Sequence, residues 1–199
     1  LKYSADTEQL KHWLGKRKSS LVAVRQEFES LWKEIRLYFE PNIGKALLDS
    51  RDRDGSASER EDDKILNSEP RLAVHRYAAG MQSGITNKAQ KWCEIVPKMV
   101  SADDARDPEL NEWCDNATGE ILSALERANF YRTSQNVYQH GALLGTSCVL
   151  ILRGSDAGDV HFHLLDEGDY WLAEDRYGNV NQLMRRMNIT VAQAKEEFL

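Results

Sequence analysis

The stretch "LLGTSCVLILRGSDAGDVHFHL", residues 143–164, decides the fold, because the texture of the chain changes inside it. Up to Gly145 the apolar residues recur at steps of three and four, the period of a helix face. From Ser147 the run "SCVLIL" is short, apolar and rich in β-branched residues. "GSDAGD" follows with turn chemistry, and "VHFHL" (160–164) then alternates with period two. Beyond it, "DYWLA" (169–173) and "VNQLMRR" (180–186) flank "DRYGN", a hairpin-turn signal. Thr190 and Gln193 have the spacing of a capping box for a closing helix. The expected class is α+β: several long helices, then a small antiparallel sheet of about four strands and a terminal helix.

Working back from Gly145, four helical segments come into view. Residues 8–39 read as one long helix, with Leu21, Val24, Phe28, Leu31, Ile35 and Tyr38 on one stripe and Trp32 and Phe39 widening it. Such a stripe is expected to pack on a domain, and Pro41 to stop the helix. Ser68 is a candidate cap for a second helix with Pro70 in its first turn. That helix carries Ala79, Gly80, Ser83 and Gly84, small residues that let another backbone approach. Asp107–Pro108 opens a third helix, with Leu110, Trp113, Ala117, Ile121, Leu125 and Ala128 as its expected buried face. A fourth spans about 131–144. The division expected is therefore 1–145, mainly helical with a polar loop at 44–64, and 146–199, the β portion with its terminal helix.

Bulk properties narrow the function. The chain has 199 residues, 41% hydrophobic and 29% charged, enough to bury a core without staples. A formal charge of -6 argues against tight general binding of nucleic acid through a basic surface. Cys93, Cys114 and Cys148 are odd in number and far apart, and no CxxC occurs, so buried thiols are expected rather than a disulfide framework or a zinc site. No apolar run reaches the ~18 residues that a membrane-spanning helix needs. The chain opens on Leu1 and stops at "AQAKEEFL" within a helical pattern, so a piece of a longer protein is expected.

Chemical motifs are sparse. "SRDRDGSASERE" (50–61) has most of an EF-hand spacing, with Asp52, Asp54, Gly55 and Glu61 at positions 3, 5, 6 and 12 of the loop. Ser50 stands where Asp is needed, however, and Arg51, Arg53 and Arg60 would repel a dication. His161 and His163 share one strand face, but zinc needs three or four ligands and spacing supplies no third. Asp166, Glu167, Asp169, Glu174 and Asp175 cluster about two turns, where carboxylates are more often solvated than catalytic. His75 and His140 have no nucleophile motif beside them, and GxSxG, HExxH and the P-loop pattern do not occur. No catalytic, cofactor-binding or metal residue is assigned, and no cofactor is expected. Two readings stay beside a structural one: a calcium- or metal-regulated binding module using 50–61, and a hydrolase using the acidic cluster.

Three longer stretches say more. "RLAVHRYAAGMQSGITNKAQKWCEI" (71–95), "LERANFYRTSQNVYQHGALLGTSCVLI" (125–151) and "FHLLDEGDYWLAEDRYGNVNQLMRRMNITVAQAKEEF" (162–198) resemble, in order, blocks of the phage portal proteins. These head-to-tail connecting proteins belong to short-tailed phages. The first block matches at Ala78, Ala79, Gly80, Met81, Ser83, Gly84, Ile85, Thr86 and Trp92. Asn87, Cys93, Ala128 and Leu144 depart from the family's usual Pro, Phe, Ser and Phe, all at packing or turn positions. The resemblance implies a non-enzymatic virion protein, assembled in the host cytoplasm. It implies a homo-oligomeric ring, usually of twelve, joined to capsid protein, terminase and tail adaptors. Double-stranded DNA would pass through without sequence specificity, no membrane would be involved, and this piece would be the N-terminal wing region. Under this reading calcium leaves the melting temperature unchanged; a rise of several degrees at micromolar ion, followed by circular dichroism, would revive the EF-hand.

Overall fold

The computed structural model describes residues 7–40, 67–97, 107–154 and 159–198; the 50–61 loop lies outside them. Five helices and four strands occur among these residues. In chain order they are α1 (Thr7–Phe39), α2 (Glu69–Ile85), α3 (Pro108–Arg127), α4 (Phe130–Leu144), β1 (Cys148–Arg153), β2 (Val160–Leu165), β3 (Tyr170–Glu174), β4 (Val180–Arg185) and α5 (Val191–Phe198). The class is α+β, and the change from helix to strand falls at Gly145. That glycine closes α4 in the left-handed region, at φ 71°, where a side chain is strained. The four strands form two antiparallel pairs, β1 with β2 and β3 with β4. Packing groups the chain into two units, one of residues 66–165 and one of 1–65 with 166–199.

Within the first unit, α2 and α4 pack through Ala78 and Val74, both buried. Gln82 Nε2 donates to the Tyr131 carbonyl at 2.7 Å, and the Thr86 and Tyr138 hydroxyls lie 3.1 Å apart. An aromatic cluster joins the helices to the β1–β2 hairpin: Trp92 stacks on Phe130 at 5.6 Å, and Phe130 meets Phe162 edge-on at 5.2 Å. Such pairs add about 1 kcal/mol beyond the area they bury. Asn129, between α3 and α4, makes the polar counterpart. Its Nδ2 donates to the Phe162 carbonyl at 2.7 Å, and its Oδ1 accepts from the Phe162 N–H at 2.8 Å. One amide side chain thus satisfies both backbone groups of a strand residue, as a neighbouring strand would.

In the second unit the anchor is Arg25, at the middle of α1. Its guanidinium lies over the Trp171 ring, 4.4 Å from the centroid. One terminal nitrogen donates to the carbonyls of Tyr170 (2.7 Å), Glu167 (3.3 Å) and Gly168 (3.3 Å). Nε and the other terminal nitrogen meet Glu29 Oε1 at 2.7 Å, one turn along the helix. The β3–β4 hairpin closes at one end through Arg186, which donates to Asp169 by side chain and backbone. At the other end is the Asp175–Gly178 turn, with Gly178 at φ 80°.

Local signals hold at most termini. Asp107 Oδ1 accepts from the Glu109 N–H, and Pro108 opens α3. Thr190 and Gln193 exchange their capping bonds at α5. Ser68 is the exception. It sits just before the start of α2 in a helical conformation with no side-chain capping bond, and Asn67 Oδ1 accepts from the Glu69 N–H.

The larger departures concern which faces are covered. On α1, Leu21 is buried, but Val24, Phe28, Leu31 and Tyr38 are half exposed or more. The covered line runs through Leu21, Arg25 and Arg36, about a quarter-turn round the helix from the centre of the expected stripe. The hairpin that meets α1 is two strands wide and sits on that flank. On α3 the buried residues are Cys114 and Thr118, while Trp113 (64%) and Ile121 (45%) face outward. Thr118 Oγ1 is committed here, donating to the Cys114 carbonyl and accepting from the Ile95 N–H. On α2, Ala79, Gly80, Ser83 and Gly84 are exposed, and a Cβ added to either glycine meets nothing within 4 Å. No backbone packs on that patch among the described residues.

Replacing Arg25 by Ala removes the clasp and strands the carbonyls it serves. The expected loss is about 3 kcal/mol in urea unfolding. Arg25→Lys should recover only part of it, because a single ammonium cannot serve Glu29 and the turn carbonyls together.

Candidate functional site

Chemistry-bearing residues come first, because an enzyme or metal protein must bring them together. Among the described residues no three His, Cys, Asp or Glu side chains converge as a metal would require. His161 and His163 do share a face of β2, both exposed, opposite Leu152 and Leu150 of β1. His75 packs in the α2–α4 contact, its Nδ1 3.0 Å from the Gln139 amide nitrogen. Cys93, Cys114 and Cys148 carry no disulfide, and only Cys114 is fully buried.

The acidic cluster is divided among structural tasks. Asp166 Oδ1 accepts from Gly168 N–H, starting the turn into β3. The Glu167 side chain is buried while its carbonyl takes one bond of Arg25. Asp169 pairs with Arg186 at 2.6 Å. Asp175 accepts from the N–H groups of Tyr177 and Asn179 and from the Asn179 amide. These bonds, that from the Asn179 backbone foremost, hold its carboxyl below the usual aspartate range. Lys91 is held above its usual range, first by Glu94 and then by Asp115.

What the described surface offers is extended apolar area. On α1, Leu10, Trp13, Val24, Phe28, Leu31 and Tyr38 are all exposed, although the helix is about 50 Å long and amphipathic. On α3, Trp113 and Ile121 are exposed on the stripe that also holds Leu110, Ala117 and Ala124. Large apolar side chains left exposed along one helix face are a mark of an interaction surface. In the sequence its signal was the three-four periodicity. What could not be read there was how little of the stripe the described residues cover. Arg25 and Asn129 were also missed. A polar residue beside an apolar stripe, and an Asn between two helices, are the faint marks they leave.

The family now follows from direct comparison. The family model described as bacteriophage head to tail connecting protein matches residues 11–199. The chain belongs to that family. It is similar to a probable portal protein of Bordetella phage BPP-1, 32% identical over 182 residues, covering 92% of this chain and 32% of the relative. It is also similar to the portal protein of Salmonella phage epsilon15, 24% identical over 200 residues, covering 98% of this chain and 33% of the relative. The chain thus spans about a third of the length of the curated relatives it matches.

The Asp175 turn supplies a pH dependence of known sign. A carboxyl held low in the folded state stabilises the hairpin above its unfolded-state pKa, and that contribution is lost as pH falls through the folded value. The amide signals of Tyr177 and Asn179 should therefore move only below the ordinary aspartate range in an NMR titration. Asp175→Asn should abolish that acid-side step.

Proposed function

We propose that the protein is a structural subunit of a phage portal, the ring that joins head and tail. Its central channel passes double-stranded DNA during packaging and ejection. The observation that carries this reading is the family match across residues 11–199 together with two relatives named as portal proteins. Uncovered apolar helix faces support it, because a ring subunit needs two different surfaces, each complementary to the other on a neighbouring copy. The dispersed carboxylates and histidines fit a protein that shapes rather than reacts.

In this reading the chain forms the wing region, on the N-terminal side of the full-length protein. The ring docks the terminase that supplies the ATP-driven motor, contacts capsid protein, and later receives the tail adaptors. It resides in the virion after assembly in the host cytoplasm. A chain of net charge -6, repeated around a ring, presents a negative annulus that disfavours counterion-release binding to phosphates, so DNA slides. No catalytic residue and no cofactor enter this role.

Negative-stain images of the full-length protein should show rings with a central hole, usually of about twelve subunits as in other ring-forming members of this class. Compact single particles, or a purified sample that turns over a substrate, would overturn the reading.

A further inference from the structure

The helices of the first unit are held in different ways. Helices α2 and α4 pack on each other through buried Val74 and Ala78, and Asn129 fixes the start of α4 to β2. On α3 the buried residues are Cys114 and Thr118, while Leu110, Leu122 and Leu125 are half-buried and Trp113 and Ile121 face outward. The segment that follows α2, residues 86–97, meets α3 through polar contacts. Lys88 pairs with Glu126 and Lys91 with Asp115, each at 2.9 Å, and the Ile95 N–H donates to Thr118 Oγ1 at 3.0 Å. The four charged side chains are 45–66% exposed, so water and salt compete with both pairs. The large apolar side chain of that segment, Trp92, stacks on Phe130 of α4 instead.

Space borders α3 on two sides. A cleft of about 360 Å³ lies between residues 88–91 and Gly119, Leu122 and Ser123 of the helix. A second, of about 540 Å³, lies between Ala124 and Arg127 at its end and Leu152 and Val160 of the hairpin. A helix seated beside clefts has room to shift without displacing close-packed side chains. Ala128 is extended, at φ -74° and ψ 177°, between Arg127, the last residue of α3, and the anchored Asn129. We infer that α3 undocks as a unit, turning about Ala128 while α2, α4 and the β1–β2 hairpin stay together. Its latch is two exposed ion pairs and a hydrogen bond, which cost less to break than a buried apolar layer. The motion re-aims Trp113 and Ile121, so the apolar face of α3 adjusts to the surface it meets. This is a property of the single subunit and stands apart from the portal reading.

Hydrogen exchange of the full-length protein, read by mass spectrometry, tests the inference. Peptides of α3 should exchange about tenfold faster than those of α2 and α4. Raising salt from about 0.05 M to about 0.5 M should speed α3 alone, by about two- to fivefold. Glu126→Lys sets like charges together at Lys88 and should have a similar effect at low salt. Adding Lys88→Glu restores an opposite pair and should bring the rate back, which also controls for folding, since a chain damaged by one reversal does not recover with two. Thr118→Val leaves the Ile95 N–H without its acceptor and should speed α3 to an extent that salt does not alter. Exchange of α3 in step with α2 and α4 would overturn the inference. So would α3 rates that neither salt nor Glu126→Lys changes, or a double variant as fast as the single one.

Discussion

Both hairpins in this protein are two strands wide, and a two-stranded hairpin is at best marginally stable in water. Each is held in place largely by a polar side chain that bonds to its backbone. Arg25 gathers three carbonyls around the start of β3, and Asn129 takes both backbone groups of Phe162. Apolar packing backs each anchor, Trp171 under the guanidinium and Phe130 beside Phe162. Much else follows from this mode of attachment. A hairpin held by a few polar contacts need not spread over a helix, and among the described residues α1 keeps much of its apolar face uncovered.

Among the described residues, polar and apolar side chains are put to separate uses. Here the carboxylates shape turns, a histidine sits in a helix contact, and apolar area is turned outward.

Most of the fold was legible because its signals are local. The Gly145 break, the Asp-Arg-Tyr-Gly-Asn turn, the Asp107–Pro108 start and the Thr190–Gln193 box each act within a few residues, and each forms as read. What failed was the step from an apolar stripe to a buried one. Periodicity shows that Val24, Leu31, Trp113 and Ile121 need cover; it cannot show whether the cover is in the same chain. Ser68 failed for a different reason: a capping side chain accepts from the second or third helical N–H, Pro70 at the second has none, and Ser68 itself takes a helical rather than an extended conformation. The small-residue patch on α2 was legible as composition and illegible as contact, since Gly80 and Gly84 look out on open space.

Gly154 has a consequence for how this family can vary. A Cβ there would stand 2.5 Å from that of Asp159, while the Gly154 amide donates to the Asp159 carbonyl at 2.8 Å. The two chain ends that leave and re-enter the hairpin are thus pressed together with no room for a methyl group. A larger residue at 154 would meet the Asp159 backbone carbon at 3.0 Å as well as its side chain, so such a change should survive only where the backbone at 159 also shifts.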